Sequence, residues 1–227
     1  MQCNVCENTV PAFVGAEKEC PICHCRPQHR ALLKKFGKDI ITPGIRVLDV
    51  GPHVALARHI EKAFEALTDS AYLPIDPRPM RSTILPIDIT QQGLAIHECD
   101  IVICQDVLDE IRDENVAMQN ILGNMAPGAK LIFSVPLKAG TTDRGHDVPA
   151  DNSHAKAKTK EGKHVKVLKA EDRITRFGGQ YKFRKYGEDD IIDFINGYGF
   201  NAKFVKIKAD ADLGIENDVD LITATKE

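Results

Sequence analysis

A short apolar run that ends in glycine and turns at once into a helical pattern constrains this chain more than any other feature. Residues 45–58 read IRVLDVGPHVALAR. Ile45, Val47, Leu48 and Val50 have the spacing of a strand that closes at Asp49-Val50-Gly51. Beyond Pro52, apolar residues at Leu56, Ile60, Ala63, Phe64 and Leu67 predict a helix over 53–67 with one face on a sheet. A strand feeding a helix through a glycine turn is how parallel α/β domains build a nucleotide-type site. Glycine lets a ligand approach the backbone, and the helix start offers unpaired N–H groups.

The rest of the chain repeats the alternation. Ala71–Ile75 reads as a second strand ending at Asp76. One helix and one strand beyond Gly51, a carboxylate there is placed to accept from a ribose diol. A turn aspartate before Pro77 is the competing reading. Leu85–Ile89 (LPIDI) predicts a short third strand and Asp100–Cys104 (DIVIC) a strand buried on both faces. The latter opens into Gln105 and Asp106, candidate wall residues because ligands sit at the carboxyl ends of strands. Asp106 is equally suited to capping the helix that follows. A helix over 115–125, a turn at 126–129 and a strand at Lys130–Val135 come next. The alternation to this point predicts a parallel sheet with right-handed crossovers. A helix at Glu188–Asn196 follows, then two late strands, Ala202–Ile207 and Val219–Thr225, whose joining loop DADLGIEND makes them a hairpin at the sheet edge. Cys99 and Cys104 read as core sulfur.

The N-terminus carries separate chemistry. Cys3 and Cys6 form one CxxC, Cys20 and Cys23 another, with the loop ENTVPAFVGAEKE between the pairs. Two such knuckles complete a tetrahedral four-thiolate zinc site, and a loop too short for its own core must draw its folding energy from the metal. Four thiolates leave no open position, so this zinc is structural. His24, Cys25 and His29 read as bystanders. Residues 28–38 predict a short basic helix. Arg26, Arg30, Lys34 and Lys35 form either a phosphate-contacting edge or a solvated face. The organisation expected is residues 1–38 as zinc ribbon and basic helix, and 39–227 as the main domain.

Lys138–Lys185 holds 13 Lys/Arg against 6 Asp/Glu. This predicts a mobile basic insert over 138–172 that either grips an anionic acceptor or is simply solvated. His146, His154 and His164 read as loop histidines. Net charge is −3, so no global field recruits nucleic acid. No apolar run approaches the roughly 20 residues of a membrane span, and MQCNVCENTV lacks a signal-peptide profile. An odd cysteine count of seven with paired CxxC motifs points to a reducing cytoplasm rather than disulfides.

Taken in order, LDVGP, YLPID, PIDIT, DIVICQDVLDEI and NMAPGAKLIFSVP resemble the motif set of class I S-adenosylmethionine-dependent methyltransferases. With CPICHCRPQHRALL before them and residues 177–200 after, the chain is similar to bacterial and phage members with an N-terminal zinc ribbon. The resemblance implies a Rossmann-like sheet of seven strands. It places Asp49, Gly51 and Pro52 on the methionine and ribose side of the cofactor, Asp76 on the ribose hydroxyls, and Asp88 with Ile89 near the adenine. Gln105 and Asp106 would stand beside the sulfonium. Methyl transfer needs no catalytic triad; if the acceptor must lose a proton, Asp106, Asp109 and His146 are candidate bases, with Asp106 first. The resemblance leaves the methyl acceptor open, an anionic one such as nucleic acid or a glycan being compatible with the basic insert.

Where the wider class carries several glycines this chain has Gly51-Pro52-His53-Val54-Ala55. That departure keeps a second reading alive, an inactive methyltransferase-like zinc-ribbon protein that serves interaction, nucleic acid included. A nicotinamide-dependent oxidoreductase fits the glycine turn and Asp76 but lacks GxGxxG.

Overall fold

The computed structural model describes residues 1–91, 93–96, 98–144, 156–158, 164–166 and 182–227. Helix α1 (Pro27–Ile40) precedes strand β1 (Arg46–Val50), helix α2 (Val54–Phe64), strands β2 (Ala71–Ile75) and β3 (Cys99–Gln105), helix α3 (Glu114–Gly123) and strand β4 (Met125–Ser134). Short strands β5 (Leu137–Lys138), β6 (Lys156–Lys158), β7 (His164–Lys166) and β8 (Tyr186–Gly187) follow. Helix α4 (Ile191–Asn196) and strands β9 (Phe200–Ile207) and β10 (Val219–Lys226) complete the chain.

The main sheet has six strands in the order β2-β1-β3-β4-β10-β9. The first four run parallel, and β10 is antiparallel to both of its neighbours. The strand period of two sorts the core into two faces. Val47, Ile101, Ile103, Ile132 and Leu221 pack with Leu32, Phe36, Leu56 and Ile60 of α1 and α2. Leu48, Val50, Val102, Cys104, Leu131 and Phe133 pack on the other side with Met118 and Ile121 of α3 and Ile191 and Ile195 of α4. Helices therefore cover both faces, as near-continuous apolar strands require. Cys99 and Cys104 are indeed buried in this core. Among the described residues, no helix is long and apolar enough to cross a membrane.

The sequence pattern suggests seven strands; the described sheet has six, because LPIDI does not extend a ladder. Leu85 makes a single bridge to Ile75, with Leu85 N–H donating to Pro74 O at 2.8 Å and Asp76 N–H to Leu85 O at 3.0 Å. To either side the outward-facing nitrogens of this edge are spent. That of Pro74 has no hydrogen to give. That of Arg78 donates to Asp76 Oδ1 at 2.6 Å instead. Pairing stops at one bridge, and β2 becomes the edge. Met125 pairs with Cys99, then the ladder shifts register and resumes at Lys130 with Ile101. The expected turn at 126–129 is thus a bulge inside one long strand. Asp106 does not cap the helix after β3; Asp113 does, accepting from Val116 N–H at 3.2 Å.

A buried side chain ties residues 1–26 to this frame. Arg30 has no solvent exposure. Its Nε donates to Leu213 O at 2.6 Å, Nη1 to Cys25 O at 2.8 Å and Cys25 Sγ at 3.6 Å, and Nη2 to Lys18 O at 2.8 Å and Gly214 O at 3.1 Å. All five N–H donors of the guanidinium are used. Its plane also lies 3.9 Å from the Phe13 ring centre. The turn it grips, residues 211–213 between β9 and β10, ends at Gly214 with φ +63°, where a Cβ would fall 1.9 Å from the Phe13 ring. The reading of Arg30 as a surface cation is therefore corrected: it is a buried staple. Lys34 pairs with Asp210 at 2.9 Å, and Lys35 is exposed.

At the far end of the sheet, buried Glu114 receives Arg144 Nε at 2.9 Å, Arg184 Nε at 3.2 Å and the Tyr186 hydroxyl at 2.5 Å. This fixes both ends of the segment between β5 and β8 to α3. Most of the expected basic insert, with His146 and His154, lies outside the described residues, as does the side chain of His164.

Arg30→Lys should destabilise the protein by about 3 kcal/mol, since an ammonium cannot reach four carbonyls and leaves buried acceptors unpaired. Denaturant unfolding measures this, and limited proteolysis should cut within residues 1–26 first. A variant as stable and as protease-resistant as the parent contradicts the staple.

Candidate functional site

A cavity of about 450 Å³ opens beside the carboxyl ends of β1, β2 and β3. Its size lies within the range of small-molecule and cofactor sites. Asp49, Gly51 and Pro52 come from the end of β1, Asp76 from the end of β2, and Gln105, Asp106 and Val107 from the end of β3. Parallel strands with right-handed crossovers bring these ends to one edge. The sequence-predicted residues Asp49, Gly51, Pro52, Asp76, Gln105 and Asp106 thus share one wall. Asp88 and Ile89 do not line it: Asp88 closes its own turn onto Thr90, and Ile89 is in the core.

The corner is tight. Gly51 has φ +63°, and a Cβ there would stand 2.5 Å from Val107 Cγ2, so a larger residue would displace the β3 loop. Gln105 is 8% exposed, and neither its Nε2 nor its Oε1 has a hydrogen-bond partner. A buried amide left open at both ends points to a ligand that supplies a donor and an acceptor. The Asp76 bond to Arg78 N–H is the turn role expected of it, and it leaves Oδ2 for another partner.

Asp49 is 2% exposed and accepts from the Tyr72 hydroxyl at 2.6 Å. Burial pushes its carboxyl up to about 7, the Tyr72 bond opposing that only in part. Asp106 stands in the left-handed region at φ +56°. Its Oδ1 accepts from the Ser134 hydroxyl at 3.0 Å and its Oδ2 from Gln28 Nε2 at 2.8 Å, so the carboxylate is fixed from two sides. Asp109, further along the same loop, is buried and held by Lys182; burial raises its carboxyl.

The opposite side of the cavity comes from residues that the strand and helix pattern does not assign to it. Glu19, His24, Arg26, Gln28 and His29, all from the N-terminal segment, line it together with His53. His29 stacks on His53 with ring centres 4.3 Å apart. Burial, then the charge of His53, lowers His29 to about 3, so it is neutral. Burial also lowers His53; a hydrogen bond with the His24 backbone opposes that, and the charge of Arg26 adds to it. His24 and His29 stand outside the four-cysteine cluster, as expected, and both also line the cavity wall. Among the described residues, five carboxylates line the cavity (Glu19, Asp49, Asp76, Asp106 and Glu110) against a single arginine, Arg26. That balance favours a cationic ligand and opposes a polyanion.

The four cysteines lie behind this wall. The sulfurs of Cys3, Cys6, Cys20 and Cys23 all lie within 4.8 Å of one another, with Cys3–Cys23 and Cys6–Cys20 at 3.8 Å. Four sulfurs at about 2.3 Å from a central ion stand about 3.8 Å apart, so the cluster fits a tetrahedral metal. Each pair is closed by a backbone bond, Glu7 N–H to Cys3 O at 2.7 Å and His24 N–H to Cys20 O at 2.9 Å. Glu7 and His24 both take positive φ to make the bend. Cys25 is 3.4 Å from the Cys3 sulfur, where it can orient a ligand rather than serve as one.

No protein-family model matches the chain, and no curated protein matches its sequence. Solved structures do share its fold. An S-adenosylmethionine-dependent methyltransferase from Mesorhizobium loti is 15% identical, with a TM-score of 0.52 over 88% of this chain and 96% of that one. A 1,6-didemethyltoxoflavin N1-methyltransferase from Burkholderia thailandensis, solved with that substrate and S-adenosylhomocysteine, is 12% identical, with a TM-score of 0.50 over 88% and 77%. The [4+2]-cyclase SpnF is 12% identical, with a TM-score of 0.52 over 88% and 81%. The chain has the α/β fold of class I S-adenosylmethionine-dependent methyltransferases, with a mixed six-stranded sheet.

Asp49→Asn should stabilise the empty protein above pH 7 by a few kcal/mol and change nothing below about pH 4. The wild-type carboxyl ionises near 4 when unfolded and near 7 when folded, so folding stability is lost as pH rises through that window. Melting temperatures of both proteins from pH 4 to 8 should diverge upward with pH; curves that stay parallel contradict the buried acid.

Proposed function

We propose that this chain is an S-adenosylmethionine-dependent methyltransferase with a structural zinc ion on Cys3, Cys6, Cys20 and Cys23. The observation that carries the reading is the charge balance of the cavity at the carboxyl edge of the sheet. S-adenosylmethionine brings a sulfonium and an ammonium against one carboxylate. Five acids and one arginine match it, whereas the pyrophosphate of a nicotinamide dinucleotide would face repulsion. The glycine corner and the open Gln105 amide supply the close approach and the unpaired hydrogen-bonding groups that such a ligand needs.

When bound, the cofactor supplies an electrophilic methyl group for in-line displacement. The chain's own work is to bind, orient and keep water out. Asp76 Oδ2 accepts from the ribose hydroxyls. Asp49, about half protonated at pH 7 when the cavity is empty, ionises fully to receive a cationic group. Leu56 and Val107 give apolar wall. Asp106 is held too firmly to swing; it serves as a fixed acceptor that orients the incoming nucleophile or takes its proton.

The shared fold does not by itself fix the reaction, since one structure that shares it is described as a cyclase. Binding is therefore tested before turnover. Calorimetry should show S-adenosylmethionine and S-adenosylhomocysteine binding and NAD not binding. Asp76→Ala should weaken S-adenosylhomocysteine at least tenfold with the fold intact by circular dichroism. Binding of NAD alone, or of none of the three, removes the methyltransferase reading.

Cys20→Ser should release the zinc and expose residues 1–26 to proteases. A full zinc complement in that variant, by atomic absorption, contradicts the four-cysteine assignment.

A further inference from the structure

The N-terminal module does more than sit on the sheet. The loop that the second cysteine pair builds runs from Glu19 through Cys20, Cys23 and His24 to Arg26, and Glu19, His24 and Arg26 all line the cavity. The loop is self-closed: Arg26 Nε donates to Glu19 Oε1 at 3.0 Å, Cys20 N–H to Cys25 O at 3.0 Å, and Arg26 N–H to His29 Nδ1 at 3.0 Å. It stands against the glycine corner, because His29 stacks on His53, which follows Gly51-Pro52 directly. On the β3 side, Gln28 bonds Asp106 at 2.8 Å. The unpartnered, nine-tenths-buried Gln105 amide in the same cavity marks this as a place where a ligand belongs.

Arg26 is the single Lys or Arg among the described lining residues. A ligand with one carboxylate has one guanidinium to meet. We propose that Arg26, with His24 beside it, takes the carboxylate of the cofactor's amino-acid end, so that the metal-built loop is part of the cofactor site. This rests on the methyltransferase reading above. Glu19 keeps the Nε edge of Arg26 and leaves its Nη groups for the cavity, an arrangement that suits a guanidinium fork gripping a carboxylate. Because the loop's shape depends on the cysteine pair, metal retention and carboxylate binding are linked, and the linkage is reciprocal.

The test compares two ligands by calorimetry on the full, zinc-loaded chain. S-adenosylhomocysteine has the amino-acid end; 5′-methylthioadenosine lacks it. Arg26→Ala should weaken S-adenosylhomocysteine about tenfold or more and change methylthioadenosine less than twofold, and Arg26→Lys should recover part of the loss. Unchanged methylthioadenosine affinity also certifies that the variant is folded. Equal loss for both ligands, or loss for neither, overturns the assignment of Arg26. Failure of the wild-type protein to bind S-adenosylhomocysteine at all overturns the methyltransferase reading and this inference with it. As a second readout, saturating S-adenosylhomocysteine should slow zinc transfer to a chromogenic chelator severalfold, and methylthioadenosine should not. Identical transfer rates with the two ligands contradict the linkage.

Discussion

The buried guanidinium of Arg30 is the interaction on which the rest of the molecule depends. It joins three segments: the cysteine module through Lys18 and Cys25, helix α1 that carries it, and the β9–β10 turn through Leu213 and Gly214. A charge taken wholly out of water is costly, and among the described residues no carboxylate bonds it. Four carbonyls, a sulfur and the face of Phe13 offset that cost with directed bonds. Thiolates on a bound metal would add negative charge nearby. The arrangement is specific, because any other register of the module leaves guanidinium donors or carbonyls unpaired.

Everything upstream of the sheet follows from that staple. With the module docked, the N-terminus of α1 comes to the β3 edge, where Gln28 reaches Asp106 and His29 reaches His53. The cavity is then bounded by strand ends on one side and by the loop of the second cysteine pair on the other. A methyltransferase-type sheet alone offers an open edge. Here the charge of the edge, rich in carboxylate, is balanced from across the gap by one arginine.

The sheet was legible in the sequence because its signals are local. Apolar runs of strand length, Gly51 and the acids at strand ends lie within a few residues of one another, and the motif segments stand in the order the fold requires. The third strand was misread because LPIDI has strand composition. Pro74 and the Asp76–Arg78 turn that block its ladder are themselves in the sequence, but their effect depends on which way the β2 groups face. Six wall residues could be picked because each terminates a parallel strand. Gln28, His29 and His53 could not, since they act through contacts across up to 78 residues of sequence. Arg30 looked like its neighbours Lys34 and Lys35. Nothing in the composition of a basic helix says which of its cations is the buried one.

The span of the staple has a consequence for how the chain is made. Leu213 and Gly214 lie 183 and 184 residues after Arg30. As the polypeptide leaves the ribosome, the cysteine knuckles can gather a metal almost at once, since their ligands are near neighbours. They have nowhere to settle until the hairpin of β9 and β10 emerges. The cysteine module can thus take shape early yet reach its place late, and a ligand arriving before Leu213 and Gly214 emerge meets only half of its binding surface.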